Sequence, residues 1–264
     1  MDLQLKNKKV FVSGSTAGIG LAIAKRLAAE GAAVIVNGRT SERIEKAIAE
    51  IKAETNNENI TGIPADFSDA ASVDALIKQL PEVDILVNNV AIFEPKAFTD
   101  ITDADWFRFF EVNVLSGVRL ARAYFPKMLE RNWGRIIFIS SESALQIPAE
   151  MIQYGATKTT QLAVSRGLAE LTKGSNVTVN TVLPGPTLSE GVGSFIEALA
   201  KKGGKTEDQV KTEFFKEIRP TSLIQRFTHP DEIANLVTFL ASPLSSATNG
   251  AVLRADGGVV KTAV

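Results

Sequence analysis

Tyr154 and Lys158 stand four positions apart in the stretch YGATK. On a helix that spacing puts both side chains on one face. A free phenol ionises at about pH 10, and a neighbouring ammonium favours the phenolate. At about 4 Å and an effective dielectric of about 20, the attraction is on the order of 4 kcal/mol before desolvation is subtracted. Half of that is enough to make a tyrosine a usable acid and base. The rest of the 264-residue chain leaves few other groups for proton chemistry, since it holds one histidine, two tyrosines and no cysteine. Disulfides, thiol catalysis and a zinc site of the Cys/His type are therefore excluded. A Ser-His-acid triad would have to use His229, in FTHPDEI. That residue precedes a proline and an acidic helix start, which marks a turn or cap. The acid or base must be a carboxylate, a lysine or a tyrosine.

A second motif points to a ligand. VSGSTAGIG follows the first strand-like run and opens the first helical pattern, with Gly14, Gly18 and Gly20 at G-x-x-x-G-x-G spacing. A tight strand-to-helix turn needs residues without Cβ where backbone meets ligand. The helix start then offers free N–H groups and a positive dipole end to a pyrophosphate. Gly14, Ser15, Gly18, Ile19 and Gly20 are the expected dinucleotide contacts in this loop. At the end of the second strand, Gly38 stands where NAD-binding sheets commonly place an acid, and Arg39 follows. A neutral residue beside a guanidinium suits a 2′-phosphate, so NADP(H) is expected over NAD(H).

Runs such as KVFVSG (9–14), AVIVNG (33–38), VDILVNN (83–89) and GRIIFISS (134–141) alternate with helical patterns. Continuous Val/Ile strands are buried on both faces, the habit of a parallel sheet covered by helices. The expected fold class is α/β, a Rossmann-like doubly wound parallel sheet of about seven strands in one domain spanning 1–264. The stretch 187–228, with its KKGGK, breaks the rhythm and is expected to be a substrate lid or loop. With 29 basic and 30 acidic residues, no pull toward nucleic acid or anionic lipid is implied. No apolar run approaches the roughly 18 residues of a membrane span, and the start lacks a signal-peptide core. A cytoplasmic location is expected.

Taken together and in order, these motifs resemble the short-chain dehydrogenase/reductase family from Val10 to about Gly258. The matching pieces are SGSTAGIG (13–20), Asp66, NNVA (88–91), Asn113, ISS (139–141), YGATK and PGPT (184–187). The resemblance implies that Tyr154 exchanges a proton with the substrate oxygen. Lys158 would lower the Tyr154 pKa and hold the nicotinamide ribose. Ser141 would hydrogen-bond the substrate carbonyl, and Asn113 would anchor a water in a relay that includes Lys158. For the cofactor, Asp66 and Phe67 would meet the adenine, and Asn88 and Val90 would border the pocket. Pro184, Gly185 and Thr187 would position the carboxamide. One departure is Val90-Ala91 where the family usually has Ala-Gly. Asn113 also interrupts a helical pattern in which asparagine is a poor helix former; a kink or a buried hydrogen bond explains that without catalysis.

The implied activity is interconversion of a carbonyl and a secondary alcohol on a small, moderately apolar substrate. Reduction of 3-oxoacyl groups on an acidic carrier protein is one version of it. Two alternatives stand beside this: a non-catalytic NADP(H)-binding sensor or assembly protein, and epimerisation or dehydration through transient oxidation. A homo-oligomer, tetramer or dimer, is implied by the family and permitted by the apolar stretch WFRFFEVNVLSGVRLARAYF.

Overall fold

The computed structural model describes residues 1–263. Seven strands form one parallel sheet: β1 (Lys9–Val12), β2 (Ala33–Gly38), β3 (Ile60–Pro64), β4 (Ile85–Asn88), β5 (Gly134–Ile139), β6 (Val177–Pro184) and β7 (Val252–Ala255). Their order is β3-β2-β1-β4-β5-β6-β7, the doubly wound arrangement expected from the alternating runs. Among the described residues nine α-helices connect or flank them: α1 (Gly18–Ala29), α2 (Ser41–Thr55), α3 (Ala70–Gln79), α4 (Asp103–Phe110), α5 (Ser116–Glu130), α6 (Ile152–Glu170), α7 (Glu190–Gly203), α8 (Glu207–Glu213) and α9 (Pro230–Ala241).

The strands bury both faces, and the two-residue period sorts their side chains between two apolar layers. Val10, Val12, Ile85, Val87, Ile137 and Ile139 pack with α1 and α9, through Ile23, Leu27, Ile233 and Val237. Phe11, Leu86, Ile136 and Phe138 pack on the other side with α3 and α5, through Val73, Leu76, Leu120 and Met128. Burying each such side chain contributes roughly 1.5–3 kcal/mol, so both layers hold the strand ends in register. Between β1 and β4 the winding reverses direction, which opens a crevice at the carboxyl ends of the strands.

Two local results differ from the sequence reading. The long pattern before β5 is two helices joined by a widened π turn, Glu111–Leu115, with Asn113 at its centre. Such turns interrupt the regular ladder and free a carbonyl. The 187–228 stretch is mostly helical. Thr187 bridges Thr228, with their hydroxyls 2.8 Å apart, so its two ends are clasped together. Above the clasp, α7 and α8 bury Ile196, Ala200 and Val210 against Val192 and Phe227. His229 caps α9 in a reciprocal box with Glu232, the cap role read from its neighbours.

Candidate active site

The glycine loop is braced from both neighbouring strands. The Asn89 side chain donates to the carbonyls of Ser13 and Gly14, each at 3.0 Å. Asn37 Oδ1 accepts the Gly14 N–H at 2.9 Å. Ser15 turns its hydroxyl inward, donating to the Val12 carbonyl at 2.7 Å. Gly20 permits the tightest approach: a Cβ there would lie 2.3 Å from the Gly14 carbonyl oxygen and 2.5 Å from Asn89 Nδ2. The α1 cap residue, Ala17, provides no side-chain hydrogen bond to the first turn. Ala17, Gly18, Ile19 and Gly20 line a cavity of about 730 Å³. Free N–H groups, a positive dipole end and bare backbone facing a cavity fit a dinucleotide pyrophosphate. Gly20→Ala is expected to weaken nucleotide binding at least about tenfold, an effect of roughly 1.4 kcal/mol, and to lower the melting temperature. Fluorescence titration with NADPH and a thermal scan check this; unchanged values in both would contradict the close packing.

The same cavity is lined by Ser141, Tyr154, Lys158, Pro184, Gly185 and Thr187. Helix α6 carries Tyr154 and Lys158 on one face, and the Ser140 hydroxyl pins it to the sheet by donating to the Lys158 carbonyl at 2.9 Å. Lys158 is 1% exposed. Its Nζ donates to the Ile139 carbonyl at 2.9 Å and to Gln161 Oε1 at 3.4 Å, and lies 5.7 Å from the centre of the Tyr154 ring. Among the described residues no carboxylate offsets its burial, which pushes the amine down to about 7. Burial also pushes the Tyr154 phenol up, against the opposing pull of the Ser141 hydroxyl. The charges that act on the phenol are those of Glu142, which raises it, and Arg219, which lowers it. Phe93 packs edge-on to Tyr154, with ring centres 6.4 Å apart.

Asn113 joins these parts. Its Oδ1 accepts the Ile92 N–H at 2.7 Å, and its Nδ2 donates to the Ile92 carbonyl and to Thr157 Oγ1, both at 3.0 Å. The carbonyl freed by the π turn accepts Gln161 Nε2 at 2.5 Å. Gln161 thus links Asn113 to Lys158 through a single buried side chain.

Residues 8–199 match the model of the short chain dehydrogenase family. The chain belongs to that family. It is 53% identical over 262 residues to the uncharacterized oxidoreductase YvaG of Bacillus subtilis, covering 99% of both chains. It is 35% identical to the D-beta-hydroxybutyrate dehydrogenase of Cupriavidus necator, over 97% of this chain and 99% of that one. Among solved structures, L-sorbose reductase from Gluconobacter frateurii, complexed with NADPH and L-sorbose, superposes with a TM-score of 0.93 at 30% identity, covering 99% of this chain and all of that one. This short-chain dehydrogenase is an oxidoreductase acting on CH–OH and C=O groups.

Several expected cofactor residues of this short-chain dehydrogenase lie behind the cavity wall. Asn88 is buried in the sheet, whereas Asn89 lines the cavity. Val90 packs over Gly14, where an added Cβ would come within 2.9 Å of it, and Phe67 belongs to the apolar layer under α3. Gly14, Ser15 and Asp66 do not line this cavity, and Arg39 is exposed outside it at the end of β2. Hydrogen bonds from Ser68, with help from the Arg39 charge, hold the Asp66 carboxyl below its usual range. The sequence reading missed Arg43, Phe93, Glu142 and Arg219, all of which line the cavity. Glu142 had a signal, because an acid three residues past the end of the buried strand β5 must find a partner or stay in water.

Proposed function

We propose that this short-chain dehydrogenase uses NADP(H) to interconvert a ketone and a secondary alcohol on a small, moderately apolar substrate. The observation that carries the reading is the convergence of Ser141, Tyr154 and a buried Lys158 on the cavity that the glycine loop opens into. When bound there, a nicotinamide dinucleotide supplies or accepts a hydride. The chain's residues do the remaining work. Tyr154 donates its phenolic proton to the carbonyl oxygen during reduction and takes it back during oxidation. Ser141 hydrogen-bonds the same oxygen, and the buried amine of Lys158 holds the nicotinamide ribose and biases the ionisation of Tyr154. Asn113 and Gln161 keep Lys158 in place. Arg219 and the α7–α8 segment cover the substrate as a lid hinged at the Thr187–Thr228 clasp.

Preference for NADP(H) is supported by the end of β2. A Cβ at Gly38 would lie 2.6 Å from the Thr16 methyl, which leaves no room for a ribose-binding acid there. Arg39 is exposed beyond it, and Arg43 on α2 reaches the cavity rim 3.6 Å from Glu190. Two guanidiniums near one strand end suit a 2′-phosphate. Arg39→Ala is expected to raise the KM for NADPH about tenfold or more, as befits loss of a charged hydrogen bond of roughly 1.5–3 kcal/mol, while the KM for NADH stays nearly constant. Equal effects on both nucleotides would remove the assigned role. The function itself is tested with a panel of ketones and NADPH, read at the nicotinamide absorbance; a panel with no turnover by either nucleotide would overturn it.

We place the protein in the cytoplasm as a homo-oligomer, tetramer or dimer, that needs no nucleic acid or membrane. Among the described residues no helix is long and apolar enough to cross a membrane. Exposed Phe107 and half-exposed Phe110 on α4 support pairing between copies.

A further inference from the structure

One wall of the active-site cavity carries charge that the proton chemistry does not use. Glu142 directly follows Ser141, opens the short turn Glu142–Ala144 and is 5% exposed. Its Oε2 accepts the Ser141 hydroxyl proton at 2.5 Å, and its Oε1 accepts Arg219 Nε at 3.0 Å. Arg219 is 8% exposed and comes from the end of the α7–α8 segment. Its Nη1 lies 3.7 Å from Glu150 Oε1. Buried carboxylates are costly even when paired, and apolar residues of similar volume often fill such a place with equal or better stability. Elsewhere the cavity lining is largely apolar and includes Phe93, Met151, Ile196, Leu199 and Phe227.

The Ser141 hydroxyl has a single proton. While Glu142 holds it, that proton is not available to a substrate oxygen. Ser141 Oγ meanwhile accepts the Ser143 N–H at 3.1 Å. A plain ketone therefore meets a serine whose proton is already engaged. A hydroxyl on the carbon next to the carbonyl changes this, because it donates to Glu142 Oε2 and releases the Ser141 proton to the carbonyl oxygen. A substrate carboxylate meets the reverse situation. The buried Glu142 and the half-exposed Glu150 already face Arg219, so a further carboxylate placed against Glu142 is repelled.

Resting on the function proposed above, we infer that this wall selects a neutral ketone with a hydroxyl on the adjacent carbon and an apolar remainder. In the oxidative direction the substrate is the corresponding vicinal diol. Glu142 accepts the adjacent hydroxyl, Arg219 holds Glu142 in position, and the remainder of the substrate lies against the apolar lining. The exchange of hydrogen bonds activates the carbonyl, so the hydroxyl raises kcat as well as affinity.

Three eight-carbon substrates separate the possibilities: 1-hydroxy-2-octanone, 2-octanone and 2-oxooctanoate, each assayed with NADPH and NADH. The hydroxyketone is expected to exceed the plain ketone at least about tenfold in kcat/KM, with part of the difference in kcat, and the keto acid is expected to be the poorest. In calorimetry, 1,2-octanediol is expected to bind more tightly than 2-octanol. In Glu142→Gln the advantage of the hydroxyketone should shrink to within about threefold, while 2-oxooctanoate gains. A plain ketone or keto acid turned over as well as the hydroxyketone by the wild type would overturn the inference and leave the ketone–alcohol activity standing. That comparison needs no variant, so poor folding of Glu142→Gln would not shield it. Turnover of none of the three with either nucleotide would overturn the proposed activity itself, and the inference with it.

Discussion

Tyr154→Phe is expected to lower kcat by about 10²–10⁴-fold, the range for losing a positioned acid and base, with nucleotide affinity nearly unchanged. The phenol lines the cavity together with Ser141 and Lys158, and burial keeps it protonated at neutral pH. Removing its oxygen leaves the ring and its edge-on contact with Phe93 in place, so the fold and the glycine loop should be unaffected. NADPH consumption with the best ketone, beside a fluorescence titration of NADPH, gives both quantities. A variant that retains more than about one tenth of wild-type kcat would show that another group supplies the proton.

Lys158→Met should produce a loss of similar size, and it carries a second signature in stability. In the unfolded chain the amine keeps its proton up to its ordinary value of 10.5, whereas in the folded protein it gives it up at about 7. Between those values the unfolded state binds more protons, so this group makes stability rise with pH from about 7 to 10.5. Below pH 7 both states are protonated, and the cost of burying the cation is fully present. Tyr154 acts oppositely above pH 10, where the unfolded phenol ionises and the buried one does not, so stability falls again there. Denaturant unfolding of the nucleotide-free proteins at pH 7 and 9.5 should therefore show wild type gaining up to about 3 kcal/mol relative to Lys158→Met, at 1.36 kcal/mol per pH unit. Parallel behaviour of the two proteins would mean that the amine is not desolvated as the structure shows.

The sheet was legible because its signal is strong and local. Runs such as ILVN and GRIIFI have no polar face to present to water, and only a covered parallel sheet accommodates them. Gly14, Gly18 and Gly20 were legible for a similar reason, since their spacing matters at one kind of strand-to-helix turn. The Tyr154–Lys158 pair was visible as a spacing, but the depth of its burial was not. The low amine pKa depends on how completely Lys158 is buried, which does not follow from YGATK.

The π turn at Asn113 had only a faint trace, an asparagine inside a helical pattern. Its cause lies far along the chain, in the Ile92 backbone and the Gln161 side chain. The Glu142–Arg219 pair spans 77 positions, and its arginine sits in a stretch whose Lys and Gly content reads as a loop. The apolar positions of α7 and α8, packed against Phe227, make that stretch helical. Asn88 and Asn89 show the limit at single-residue scale. In a strand, adjacent residues point to opposite sides, so a motif one residue long on either side leaves open which asparagine meets the cavity.

The most direct measurement is a crystal structure of the protein with NADP⁺ and 1,2-octanediol. The secondary hydroxyl should lie within about 2.6–3.2 Å of both the Tyr154 Oη and the Ser141 Oγ, with the primary hydroxyl on Glu142 and the alkyl chain against Phe93 and Met151. A diol seated in the cavity with its secondary hydroxyl out of reach of Tyr154 would contradict the placement of the chemistry at this tyrosine.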